Sequence, residues 1–128
     1  LEAYGVRALL FRSGDLPRVV DETRRALAIL SAVTGREPEP WCNVVAYRER
    51  GNSLAVIVFP RGRHRPDAFH TGDLTVSPAA IDMSGILVTP SAKDFERLTG
   101  EEVAAVYREV TLPEDQFRDV VARLEAGR

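Results

Sequence analysis

Cysteine is almost missing from this chain. Cys42 is the single thiol among 128 residues, so no internal disulfide can form, and the usage fits a reducing, cytoplasmic setting. Long apolar runs are missing too. No stretch reaches the roughly 18 consecutive apolar residues that a membrane-crossing helix requires, so no membrane partner is expected. Neither sign of charge dominates: 17 basic against 19 acidic residues leave a net charge of -2. A chain that tracks nucleic-acid backbones needs a broad positive field, so nucleic acid is not expected as a partner and any anion site must be local. Histidine occurs twice, at His64 and His70, and their spacing fits none of the zinc-ligand patterns. No metal site and no cofactor are therefore expected. Glycine-rich phosphate loops and nucleophile elbows are absent as well.

What is present reads as one ordinary folding unit. The length and a hydrophobic fraction of 45% allow a sizeable core without staples. Residues 4–13 (YGVRALLFRS) are rich in apolar and aromatic side chains and end in a Ser-Gly-Asp turn signal, which predicts a strand. Asp15 as N-cap and Pro17 near the first helical position open a helix. Its inward face is Leu16, Val19, Val20, Thr23, Ala26, Leu27, Leu30 and Val33, and it stops near Gly35. Trp41 to Arg50 and Leu54 to Phe59 flank the turn pair Gly51-Asn52 and predict a hairpin. The second of these strands, LAVIVF, is apolar on both faces. It belongs inside a sheet covered on each side, and another domain or subunit is one candidate for the second cover.

Residues 60–73 (PRGRHRPDAFHTGD) carry too much Pro, Gly and charge for regular structure and predict a loop that starts extended. Leu74 to Val76 and Ile86 to Thr89 are short strand candidates, and the segment SPAAIDMSG between them fits no element. Thr99 and Glu102 have capping-box spacing ahead of a helix burying Val103, Val106, Tyr107 and Val110. A last helix starts at Pro113 with Phe117, Val120, Val121 and Leu124 inward. The order mixes a hairpin with helices, so the expected class is α+β, a mostly antiparallel sheet with helices packed on it. The chain starts Leu1-Glu2 without methionine, which suggests a piece of a longer protein or a processed start.

The candidate site is the row Arg61, Arg63, His64 and Arg65. If the backbone stays extended past Pro60, alternation aims the three guanidiniums to one side and the imidazole to the other. Such an array suits phosphate oxygens, because a guanidinium donates paired hydrogen bonds and stays charged. A solvated charged loop is the competing reading. Cys42, at the start of a buried strand, reads as inert packing rather than a nucleophile. Asp82, in the apolar setting AAIDMSG, is either a buried carboxylate with a raised pKa or a turn cap. No catalytic residue is identified.

Residues 43–66 (NVVAYRERGNSLAVIVFPRGRHRP) and 74–110 (LTVSPAAIDMSGILVTPSAKDFERLTGEEVAAVYREV) resemble the C-terminal half of a family of bacterial proteins in the histidine-triad superfamily. That family is similar to diadenosine tetraphosphate phosphorylases (ATP adenylyltransferases) and, more remotely, to hexose-phosphate uridylyltransferases and plant GDP-galactose phosphorylases. FPRGRHRP and SPAAIDMSGILVTP are the most specific parts. The resemblance implies two histidine-triad-like halves, with the nucleophilic histidine of a two-step nucleotidyl transfer in the N-terminal half. The alternating histidines of that nucleophilic half do not occur here. Residues 1–128 then read as one histidine-triad-like domain, the half without the nucleophile. The resemblance implies a phosphate-facing role for Arg61, Arg63, His64 and Arg65 and a structural one for Ser77 to Pro90. It also implies a nucleotide or other phosphorylated small molecule as ligand, with a partner half-domain or a second copy as neighbour. A catalytically silent scaffold or dimerisation domain is the alternative, and an independently active enzyme a third.

Overall fold

A computed structural model describes residues 6–127. Three strands form one antiparallel sheet: β1 (Leu9–Ser13), β2 (Cys42–Arg48) and β3 (Leu54–Pro60), in the order β1-β3-β2. The described residues also form six helices: α1 (Leu16–Thr34), α2 (Asp67–Thr71), α3 (Ala80–Met83), α4 (Ala92–Arg97), α5 (Gly100–Val110) and α6 (Glu114–Ala126). The class is α+β, as the element order implies. No helix among the described residues is long and apolar enough to cross a membrane. The expected strand at residues 4–13 is regular from Leu9, and its first two residues lie outside the described range.

β3 is the central strand, and period-two alternation gives its two faces separate work. Val58 joins Leu9 and Phe11 of β1 and Val19, Ala26 and Leu30 of α1 in one core, with Val120 of α6 closing it. Phe59 joins Met83 of α3 and Tyr107 and Val110 of α5 in a second core on the opposite face. The chain's own helices therefore cover both sides of LAVIVF. The Tyr107 hydroxyl, buried among apolar side chains, donates to Asp82 O at 2.6 Å, which satisfies it without water.

Local signals explain the long elements. α1 ends where Gly35 takes φ 65, and the hairpin turns on Gly51 and Asn52 at φ 86 and 71, conformations that cost glycine and asparagine little. Asp15 stands at the N-cap of α1 but caps with no side-chain hydrogen bond; its carbonyl instead accepts from Val19 N at 3.3 Å. At α5 the capping box forms: Thr99 Oγ1 accepts from Glu102 N at 3.2 Å, and Glu102 Oε2 accepts from Thr99 N at 2.8 Å.

Two expected strands are not strands. Leu74 to Val76 and Ile86 to Thr89 run as irregular chain, with no ladder partner among the described residues. Leu74 and Val76 are instead buried against Val106 of α5. Their apolar character serves packing against a helix, a need that a β-like composition also satisfies. SPAAIDMSG contains α3, and part of the expected 60–73 loop is α2.

Candidate functional site

The cleft begins where β3 ends. Arg61 N donates to Trp41 O at 2.8 Å, extending the β2–β3 ladder by one residue, and Arg61 also bridges to Thr111. Gly62 N and Arg63 N then both donate to Val110 O, at 3.0 and 3.4 Å, so the chain is fastened to the end of α5. Beyond this the backbone bends through residues 63–65 into α2. Extended geometry lasts one residue past Pro60, so the alternation expected to aim the three guanidiniums to one side is not kept.

Each arginine meets different surroundings. Arg61 is 3% exposed. Its Nε donates to Arg63 O at 3.2 Å, its Nη1 to Asn43 Oδ1 at 2.6 Å and Pro78 O at 2.8 Å, and its Nη2 to His64 O at 2.8 Å. Four of the five guanidinium hydrogens are thereby used inside the protein. Burial lowers the pKa of this group, and the charge of nearby Asp82 opposes that shift. Arg63 is exposed and its Nη1 contacts Asp67 Oδ1 at 2.6 Å and Glu109 Oε1 at 2.8 Å. Arg65 lies over the ring of Phe69, 4.1 Å from its centroid, a cation–π placement that leaves its edge to solvent.

His64 packs its ring on Trp41, with centroids 4.2 Å apart and planes at 40°. Arg36 reaches the same indole at 3.9 Å and donates to Arg61 O and Gly62 O at 3.2 and 2.9 Å. A stack of guanidinium, indole and imidazole thus holds the segment 61–64 in place. Arg61, Arg63, His64, Arg65, Trp41 and His70 all line one open cleft of ≈ 900 Å³, together with Asn43, Ser77 and Pro78. That volume lies within the range of small-molecule sites.

Cys42 borders the cleft half-buried, and its thiol is pushed up from the usual range by burial first and by the Glu39 charge second. A thiol held protonated is a poor nucleophile. Asp82 is buried and accepts from Ala79 N at 2.8 Å and from Val88 N at 2.7 Å, so it caps the turn and ties α3 to the segment after it. Among the described residues, no three His, Cys, Asp or Glu side chains come together in a way that could hold a metal ion. Sequence reasoning overlooked Asn43 and Arg36, and gave Ser77 a structural role only. The only signal for Asn43 was an amide beside the apolar run Val44 to Ala46.

An antiparallel sheet covered by helices on both faces, with an arginine- and imidazole-lined cleft at the end of its central strand, defines an α+β domain. The chain belongs to the GDPGP1-like, C-terminal domain family, whose model matches residues 1–125. No curated protein and no solved structure matches it.

Proposed function

We propose that this chain is the non-nucleophilic, histidine-triad-like half of a nucleotidyltransferase or nucleoside-polyphosphate phosphorylase-like protein, and that its cleft contributes contacts to the phosphates of a nucleotide. The family match supports the C-terminal placement, and residues 1–128 are on this reading one domain of a longer, cytoplasmic protein. Within the cleft Arg63, His64 and Arg65 meet the ligand, and Arg61 acts from beneath by holding the carbonyls of residues 63 and 64. No covalent step is assigned to the chain itself. Its two imidazoles lie on a loop and a short helix at the rim, and its thiol is held protonated.

The observation that carries the reading is the charge balance of the cleft lining. Its only carboxylate among the described residues, Asp67, is engaged by Arg63, which Glu109 also meets from outside the cleft lining, and Arg65 is left with no carboxylate partner among the described residues. A cleft so lined attracts acceptors. Calorimetric titration of ADP, GDP and inorganic pyrophosphate into wild type and an Arg63→Ala/Arg65→Ala double variant tests it. Binding by wild type that weakens about tenfold or more in the variant is expected, by the usual worth of charge-assisted contacts. Equal heats in both proteins would remove the reading.

A second reading rests on a separate observation. Among the described residues β2 pairs only with β3, and beside its open edge a groove between α1 and the sheet exposes Leu16, Val20 and Val44. On that reading the domain braces a second copy of itself or a partner half through this edge.

A further inference from the structure

Asn43 lies in β2 opposite Phe59, on the sheet face away from α1. Its Oδ1 accepts from Arg61 Nη1 at 2.6 Å. A guanidinium has no acceptor, so this contact fixes the rotation of the amide: the oxygen faces Arg61, and the NH2 group is turned the other way. No acceptor among the described residues meets that NH2, although Asn43 lines the cleft. The same Arg61 nitrogen donates to Pro78 O at 2.8 Å, which draws the residue beside Ser77 toward Asn43. Ser77 also lines the cleft, and its hydroxyl has no partner among the described residues.

We infer that Asn43 and Ser77 recognise the ligand of this cleft, donating their N–H and O–H to non-bridging oxygens of a phosphoryl group, and that Arg61 is the positioning residue that turns the amide toward it. The inference rests on the phosphate-binding reading above and deepens it. The chemistry of the surroundings selects an anion over a cation. The Asn43 oxygen is spent on Arg61, the Asp82 carboxylate on two backbone N–H groups, and Asp67 on Arg63, so this end of the cleft offers donors and no free carboxylate. Neutral donors next to the guanidinium groups supply direction where those cations supply attraction.

Asn43→Asp is the discriminating substitution. The new carboxylate still accepts from Arg61, so the wall of the cleft is kept, while the donor facing the ligand becomes an acceptor bearing negative charge. Calorimetry with inorganic pyrophosphate and with ADP, at one fixed salt concentration, reads the effect, and the thermal midpoint confirms that the variant is folded. A loss of about tenfold or more in affinity is expected for Asn43→Asp, and a loss of several-fold for Ser77→Ala. Both variants binding within about twofold of wild type would overturn the inference, and if Arg63→Ala/Arg65→Ala still lost binding the phosphate reading would stand without it. Wild type that binds neither probe would overturn both.

Discussion

Asp94 shows at a single residue how the segment before α5 is held. Asp94 is 1% exposed, and its carboxylate accepts from the Thr75 backbone N–H at 2.8 Å and from the Thr75 hydroxyl. The hydroxyl bond, then the N–H bond, hold its carboxyl below the usual aspartate range against the opposing effect of burial, with smaller help from Ser91 and Arg97. A folded-state pKa lower than the unfolded one stabilises the native state above the unfolded value, and that contribution is lost as the pH falls through the folded value. Thermal midpoints of wild type should therefore drop more steeply than those of Asp94→Asn on acidification from roughly pH 5 to pH 3. Parallel curves would show that Asp94 titrates alike in both states. Arg61 carries the other lesson at this scale. Its alternation with Arg63 and Arg65 was legible in the sequence, but where the backbone would stop being extended was not. Hydrogen bonds to Val110, some fifty positions away, decide that, and no local pattern encodes them.

At the scale of elements, the exit of β3 and the α5–α6 junction act as one unit. Leu112 N donates to Pro60 O at 2.9 Å, Gly62 N donates to Val110 O at 3.0 Å, and Arg61 bridges Thr111, so two irregular stretches are laced together. Gly62 permits the close approach: a Cβ there would stand 2.9 Å from Thr111 O and 3.3 Å from Pro113 Cδ. Gly62→Ala should cost about 1–3 kcal/mol, the usual range for overpacking, and should weaken ligand binding in the same variant because the segment 61–64 moves with it. Urea unfolding checks the first part, and an unchanged midpoint would show that the junction yields freely. The long elements were legible because a 19-residue helix or a seven-residue strand displays its period several times over. α2, α3 and α4 span 5, 4 and 6 residues, at most about two turns, too short for a periodic signal to rise above composition. Leu74 to Val76 and Ile86 to Thr89 failed in the opposite direction. Their residues favour strands, yet a strand exists only where a neighbour offers its edge.

At the scale of the whole molecule, the sheet among the described residues has three strands and two edges, and helices cover its two faces. The apolar strand expected inside a sheet covered on each side is indeed the innermost strand, and its second cover, for which another domain or subunit was one candidate, comes from the chain's own helices, α1 and α6 on one face and α3 and α5 on the other. Unmet pairing capacity is therefore left to the outer strands; β1 exposes Leu10, while on β2 Val44 and Tyr47 are 45% and 41% exposed and α1 adds Leu16 and Val20 in the groove beside it. Native proteins normally guard such an edge with charge, a bulge or a cover, and Arg48 at one end is the only charged side chain in the strand. The bracing reading thus predicts that the 128-residue chain sediments as a concentration-dependent dimer, and that Val44→Lys returns it to monomer. Val44 is exposed enough that the substitution should change folding stability by no more than about 0.5 kcal/mol, so an unshifted thermal midpoint separates loss of an interface from loss of the fold. Sedimentation velocity across a hundredfold dilution decides the matter: a monomer throughout, or a dimer indifferent to Val44→Lys, rules this edge out as a contact between copies.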